Sequence, residues 1–386
     1  LTDLLRTLDD EPDMPSTVDI RAAILEARRR KRRSWVGAGV VLMTVAASMS
    51  GFFVMKPDEV AIPAIIVASP SVEPAPTVAA CTISRLPVPD EEPMALVSGA
   101  DPTGDWIVGR TYPESGGYQA VIWHGGTAEK VMLPGDLEES LQDVNSSGIA
   151  AGWSYTEAGP VPYAYRNGRI IRLGEAGEAV AINEKGRIAG HDDTSALVWE
   201  SADAEPTELP VPAGTTTARA SDVDLDGTVV GALDFATPYI WRPDGTHGTL
   251  PMPEIDGKPA AVAQAFSVRN GWVTGMASTT KLKGSRGAAK IYAARWNLRT
   301  GAVETVGGLQ YPADAVNAYG WQTGTDRKGY AVLVTGEKTI RLPDLGKHRS
   351  DGTATIASTL SDDGTLIAGQ SDDRSGTIQA VLWKCG

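Results

Sequence analysis

Short apolar runs punctuated by turn residues fill most of this chain. The clearest is Ala181-Ile182-Asn183-Glu184-Lys185-Gly186-Arg187-Ile188-Ala189-Gly190, then Ala196-Leu197-Val198-Trp199, then Leu209-Pro210. The unit shows no helical period and predicts four short antiparallel strands with turns between them. Asn183 stands three residues before Gly186. An Asx carbonyl can accept a hydrogen bond from a backbone N–H two residues on, and Gly supplies the positive φ that the turn needs.

Imperfect copies follow one another, each ending its second strand in a glycine. Those glycines are Gly109, Gly152, Gly190, Gly231, Gly275, Gly324 and Gly369, at gaps of 43, 38, 41, 44, 49 and 45. The turn position three before the first glycine of each unit holds Asp101, Asn145, Asn183, Asp224, Val268, Asn317 and Ser361. Third strands end in Trp123, Tyr165, Trp199, Trp241, Trp296, Val334 and Trp383. Leu-Pro closes several units, at 133–134, 209–210, 250–251 and 342–343, where an outer edge strand tolerates the missing N–H of proline.

Seven units of four strands predict an all-β fold, a seven-bladed β-propeller of four-stranded antiparallel blades. One such sheet cannot bury both faces alone; stacking around an axis does, with the third-strand Trp or Tyr filling the wedge between blades. A β-solenoid is the competing architecture, although its periods are usually shorter. The units at residues 94–386 resemble the extracellular HAF-repeat proteins of bacteria, whose repeat runs Ala-x-x-Ile-Asn-x-x-Gly-x-Ile-x-Gly followed by Ala-Phe-x-Trp. The likeness is good in units two, three and seven and loose in unit five, where Val268 replaces the Asx. It implies a propeller-like fold and supplies no reaction.

Ahead of the repeats the pattern changes. Residues 1–34 form a polar tail in which Thr17 is placed to cap a short helix carrying Ile20, Ala23, Ile24 and Ala27. The tail ends in the basic run Arg28 to Arg33. Residues 35–55 carry no charge over 21 positions, enough to cross a ~30 Å bilayer core as a single transmembrane helix. A cleavable leader has a shorter apolar core of about 7–15 residues, so an uncleaved signal-anchor is expected. The basic flank puts the tail in the cytoplasm and the propeller outside the plasma membrane. Residues 56–80, with five prolines among small residues, read as an extended spacer, followed by the propeller at 81–386.

From residue 56 onward 27 basic side chains face 41 acidic ones. Such a domain lacks the basic footprint that nucleic acid requires.

The two cysteines bracket the repeats. Cys385 stands two after Trp383, and Cys81 stands five before Leu86-Pro87, as Ala128 does before Leu133-Pro134. Mapped onto unit one, the pair straddles a two-residue hairpin turn, a distance that a disulfide bridges. Residues 81–89 then form the closing strand of the seventh blade, supplied by the N-terminus. A catalytic redox pair would instead be spaced Cys-x-x-Cys.

Candidate chemistry is sparse. Asp222-Val223-Asp224-Leu225-Asp226-Gly227 has the Asp-x-Asp-x-Asp-Gly form of a calcium loop, but its twelfth position is Leu233 rather than Glu. Asp224 is also the turn residue that every unit uses, so a solvated turn is the alternative. His191, Asp192, Asp193, Asp372 and Asp373 fall in second-to-third-strand loops, on the face shared with the connections between blades. They form a binding ring or merely solvated loop tips. The longest loop of that kind, 277–290, carries Lys281, Lys283, Arg286 and Lys290 on an otherwise acidic protein, either a contact surface or a solvated insertion. No nucleophile elbow, phosphate loop or dinucleotide fingerprint occurs.

The reading is a membrane-anchored extracytoplasmic propeller that binds an envelope protein, peptide or glycan without catalysis. One alternative is transmembrane signalling: the tail looks like the short N-termini of actinobacterial membrane proteins, some of which are encoded beside sigma factors, so a sigma factor is its candidate partner. The other is a hydrolase or lyase using channel acids.

Overall fold

Seven four-stranded antiparallel sheets follow one another in the computed structural model, which describes residues 75–114, 117–135, 138–280, 290–310, 313–336, 338–350 and 352–386. Contacts divide the chain into Leu1–Pro70 and Ser71–Gly386, and all described residues belong to the second unit. The tail, the charge-free stretch 35–55 and most of the spacer lie outside them. Among the described residues no helix is long and apolar enough to cross a membrane.

Blade 1 comprises Met94–Ala100, Trp106–Tyr112, Gln119–His124 and Thr127–Val131; blade 2, Glu139–Val144, Ala150–Thr156, Gly159–Arg166 and Arg169–Arg172. Blade 3 comprises Glu178–Ile182, Ile188–His191, Ala196–Trp199 and Thr207–Glu208; blade 4, Ala218–Val223, Val229–Leu233, Thr237–Trp241 and His247–Thr249. Blade 5 holds Val262–Arg269, Trp272–Ser278, Ile291–Asn297 and Ala302–Thr305; blade 6, Ala315–Val316, Gln322–Thr325, Ala331–Thr335 and Lys338–Arg341. Blade 7 breaks chain order: Thr355–Ala357, Leu366–Asp372 and Ile378–Cys385 are completed by Cys81–Arg85 from the far end of the sequence.

The closure is covalent, through a Cys81–Cys385 disulfide spanning 304 residues. Two details differ from the sequence reading. The cysteines are direct cross-strand partners with Cα atoms 4.0 Å apart, rather than flanking a hairpin turn. Trp383 pairs with Ile83, whereas Trp123 pairs with Ala128, so the closing strand runs two residues out of the expected register. That strand also stops at Arg85, and a short 3-10 turn follows at Pro89–Glu91.

The repeat's recurring residues have distinct physical tasks. In blades 1 to 5 the innermost strand carries a β-bulge opposite the closing glycine, as between Val97 and Gly99 against Gly109, or Ala220 and Asp222 against Gly231. The bulged backbone presses so close that a Cβ at Gly109 would lie 2.0 Å from the Leu96 carbonyl oxygen, and one at Gly231 1.9 Å from that of Arg219. Only glycine fits there.

Third-strand tryptophans fill the wedges, as expected, and Trp199, Trp296 and Trp383 are fully buried. Their indole N–H groups cross to the preceding blade. Trp123 donates to the Pro87 carbonyl at 2.7 Å, Trp241 to Pro210 at 2.7 Å, Trp296 to Pro251 at 2.7 Å and Trp383 to Pro343 at 2.9 Å. Leu-Pro therefore serves as more than a tolerant edge. It presents a carbonyl to the neighbouring indole, and the Trp123–Pro87 bond ties blade 1 to the segment that completes blade 7.

Candidate functional site

Chain connectivity sorts the links into two faces. Hairpins joining first to second and third to fourth strands share one face, the turn face; the remaining loops and the links between blades share the other, the loop face. The first strands of blades 1 to 6, with Ser358, Thr359 and Leu360 just after that of blade 7, line a central channel of about 180 Å³.

Five carboxylates stand on the channel wall: Asp143, Glu184, Asp222, Asp314 and Asp362. Asp143 accepts the Ile182 N–H of the next blade at 2.8 Å and its own neighbour's N–H, from Val144, at 2.9 Å. Asp222 repeats the device with Val268 and Val223, both at 2.7 Å. Burial, with the charge of Asp222 second, pushes the Asp143 carboxyl up to about 8, and burial also raises Asp222. Desolvation pushes Asp314, at the exposed rim of the channel wall, up to about 7. At the turn-face end, Arg269 of blade 5 grips Asp362 of blade 7 with two hydrogen bonds of 2.8 and 2.7 Å, past blade 6.

The three aspartates of the calcium-like loop point to different duties. Asp222 lines the channel. Asp224 accepts backbone N–H bonds from Leu225, Asn270 and Gly271 at 2.8, 2.9 and 2.8 Å, which stitches blade 4 to blade 5. Asp226 caps the Thr228 N–H at 2.8 Å. Among the described residues no three carboxylate, imidazole or thiol groups converge as a metal would need.

On the loop face, Asp192 caps Thr194 and Ser195, and Asp373 caps Ser375 and Thr377 while accepting a 3.1 Å bond from Arg85. Asp372 ends its strand opposite Ile378. His191 is buried, and neither ring nitrogen has a hydrogen-bond partner; Glu178 lies 3.8 Å away. Burial, assisted by the Arg219 charge, pushes the imidazole down to about 4, so it is neutral at pH 7. Of the basic loop, Lys290 sits over the Tyr292 ring at 5.0 Å, while Lys281, Lys283 and Arg286 lie outside the described residues.

The sequence reading missed a cleft on the turn face. In most blades a residue at or just before the start of the second strand lies across the turn glycine of the next blade. A Cβ would come within 2.8 Å of the Trp106 ring at Gly148, 2.6 Å of Trp272 at Gly320 and 2.4 Å of Trp321 at Gly364. Leu366 covers Gly104 and Arg187 covers Gly227 in the same way. Nothing of the kind covers Gly186 at the 2–3 junction, and at the 4–5 junction the cover fails twice. The covering position holds small Thr228, and blade 5 turns in only two residues, Asn270 and Gly271, so no residue of blade 4 reaches Gly271.

The gap opens into a cleft of about 890 Å³ whose lining includes Lys185, Leu225, Arg242, Pro243, Leu298 and Arg299. Alignment on the turn glycine had assigned Val268 to the Asx position. The observed register gives it to Arg269, one residue later, because the shortened hairpin pairs Arg269 with Trp272.

No family model matches the chain, and no curated protein matches its sequence. Similar solved structures include the extracellular domain of a putative one-component system from B. thetaiotaomicron, at 11% identity and a TM-score of 0.45, covering 77% of this chain and 39% of that one. An oligogalacturonate lyase in complex with manganese shares 12% identity at a TM-score of 0.46, over 81% of this chain and 98% of that one. Chaetomium thermophilum Raptor shares 10% at 0.47, over 77% and 29%. The chain thus spans well under half the length of the first of these. At such values the propeller assignment rests on the seven blades themselves.

Proposed function

We propose that this chain is a membrane-anchored β-propeller outside the plasma membrane, a non-enzymatic binding or scaffold module of the cell envelope. The observation that carries the reading is the disulfide that fastens the first strand of the ring to the last. Disulfides persist in extracytoplasmic compartments and are rare in the cytosol. The charge-free stretch 35–55 behind Arg28 to Arg33 supports a single-pass anchor with its N-terminus inside. Envelope proteins, peptides and glycans are the candidate partners, with the 277–290 loop and its Lys281, Lys283, Arg286 and Lys290 as one candidate contact.

A second reading, signalling across the membrane, is favoured by the Asp- and Leu-rich tail ahead of that basic run; a sigma factor would then bind residues 1–34.

Topology is tested on intact cells. Protease shaving should remove the propeller and leave a membrane fragment containing the tail, and both cysteines should resist alkylation until a reductant is added. Recovery from the cytosol with two free thiols would overturn the assignment.

A further inference from the structure

Among the described residues, six of the seven junctions carry an aromatic cross-link from a third strand to the blade before it. Indole N–H groups reach proline carbonyls at 7–1, 3–4, 4–5 and 6–7. Trp199 donates to the Leu173 carbonyl at 2.8 Å at 2–3, and the Tyr165 phenol meets Glu129 at 1–2. Blade 6 has Val334 at that position. The 5–6 wedge is filled by Ala293, Leu309, Ala313, Val332 and Val334, with no tryptophan among them. Beside them a polar pair is fully buried: Gln322 donates to the Thr274 hydroxyl, and the Gln322 side-chain carbonyl has no hydrogen-bond partner. Such a pair holds a wedge closed less firmly than a hydrogen-bonded indole does.

The innermost strand of blade 6 is also short, Ala315–Val316. In the other six blades a Cβ on the closing glycine would stand within 2.2 Å of a first-strand carbonyl oxygen. At Gly324 the nearest atom is a methyl of Leu309, at 3.0 Å, so a side chain stands where backbone seals the other blades. On the loop face the exposed Lys290 and Arg327 bring like charges from blades 5 and 6 into each other's field. The turn face is different. There Trp272 lies across Gly320, Arg295 donates to the Gly320 carbonyl at 2.7 Å, and Arg269 of blade 5 grips Asp362 of blade 7. Blades 6 and 7 share a core that includes Trp321, Leu333 and Trp383.

We propose that the ring opens at the 5–6 wedge, from the loop face inward, on a hinge formed by the turn-face contacts, with blade 6 staying packed on blade 7. Asp314, Ala315 and Val316 are the share of blade 6 in the channel wall, so the motion widens the central channel on that side. The device depends neither on membrane topology nor on the identity of a partner.

The full chain in detergent is kept free of reductant, so that Cys81 and Cys385 stay paired. Thr274→Cys puts a thiol in the 5–6 wedge, and Val230→Cys puts one at the matching buried position of the 4–5 wedge, one residue before the closing glycine in each blade. Maleimide labelling under native conditions should be at least about tenfold faster at position 274, as expected of a local opening that costs less than global unfolding. Adding Val334→Trp, or Val334→Phe where the larger ring prevents folding, supplies the missing wedge and should slow labelling at 274 to the rate at 230. Equal rates in the two single variants, or faster labelling at 230, would overturn the proposal. So would rates that merely follow each variant's global stability in denaturant, or a folded wedge-filled chain that labels as fast as before.

Discussion

Two junctions of the ring, 7–1 and 4–5, are alike at the outer wedge and opposite at the turn face. At each wedge an indole N–H meets a proline carbonyl at 2.7 Å, Trp123 to Pro87 and Trp296 to Pro251. At the turn face, however, Leu366 lies on Gly104 at the 7–1 junction, and the Asp362 N–H reaches the Pro102 carbonyl at 2.8 Å. The 4–5 junction has Thr228, a two-residue hairpin and an open cleft. Its connecting segment also carries an extra two-stranded hairpin, Glu254–Ile255 with Lys258–Pro259. The wedge is where the fold is held, so it repeats. The turn-face rim is free to vary, and it does so at the 4–5 junction.

The largest effect is expected at the closure. Replacing Cys81 and Cys385 together with Ala removes a crosslink that closes a loop of 304 residues, and chain entropy sets an upper loss of about 5–6 kcal/mol. Denaturant unfolding with and without reductant would measure it, and the double variant should show no further response to reductant. Next come the wedges: Trp123→Ala and Trp296→Ala should each cost about 3–5 kcal/mol, because each is buried and leaves a proline carbonyl unpaired. Equal losses would confirm that the junctions match there; a much smaller loss at Trp296 would break the comparison.

The rim predicts a smaller, asymmetric pair. Gly148→Ala forces a methyl against Trp106 at a positive φ and should cost about 1–3 kcal/mol more than Gly186→Ala, where the backbone strain is similar but nothing stands within 4 Å. Equal costs from thermal melts would remove the cover-and-glycine account.

The smallest effect concerns the channel. Asp143, Asp222 and Asp314 are raised above the ordinary carboxylate value, so the folded state holds their protons more tightly than the unfolded chain does. The contribution of Asp143 and Asp314 is full below about 4 and fades as pH rises through about 7 to 8, and that of Asp222 has the same sign. His191 works in the opposite sense: its folded value is about 4 against an ordinary 6.5, so it costs stability only as pH falls below 6.5. Between pH 8 and 6.5 the carboxylates act alone, and the melting temperature should rise as pH falls. Asp143→Asn, which keeps an acceptor for the Ile182 N–H, should flatten that slope, and an unchanged slope would place the titrating groups elsewhere.

Much of the architecture was legible because the repeat is built from local rules. Asn183-x-x-Gly186 is a turn wherever it stands, and Trp199 at the end of an apolar run marks a wedge. Cys81 was placed in the right blade but in the wrong register, because the comparison with Ala128 assumed that the closing strand keeps unit-one spacing up to Leu-Pro. The cleft was not legible. Val268 flagged unit five as odd, but only the observed pairing shows that Arg269 takes the turn position. Nothing in Thr228 itself says that a tryptophan is missing. The calcium-like run shows a related point: Asp222 belongs to the strand that lines the channel, whereas Asp224 and Asp226 lie in the turn that follows it.

Secretion of the chain through an oxidising compartment, followed by non-reducing peptide mapping, is the most direct trial of the closed ring. One species joining the Cys81 peptide to the Cys385 peptide within a single chain is predicted. Free thiols at both positions, or a bond between chains, would contradict it.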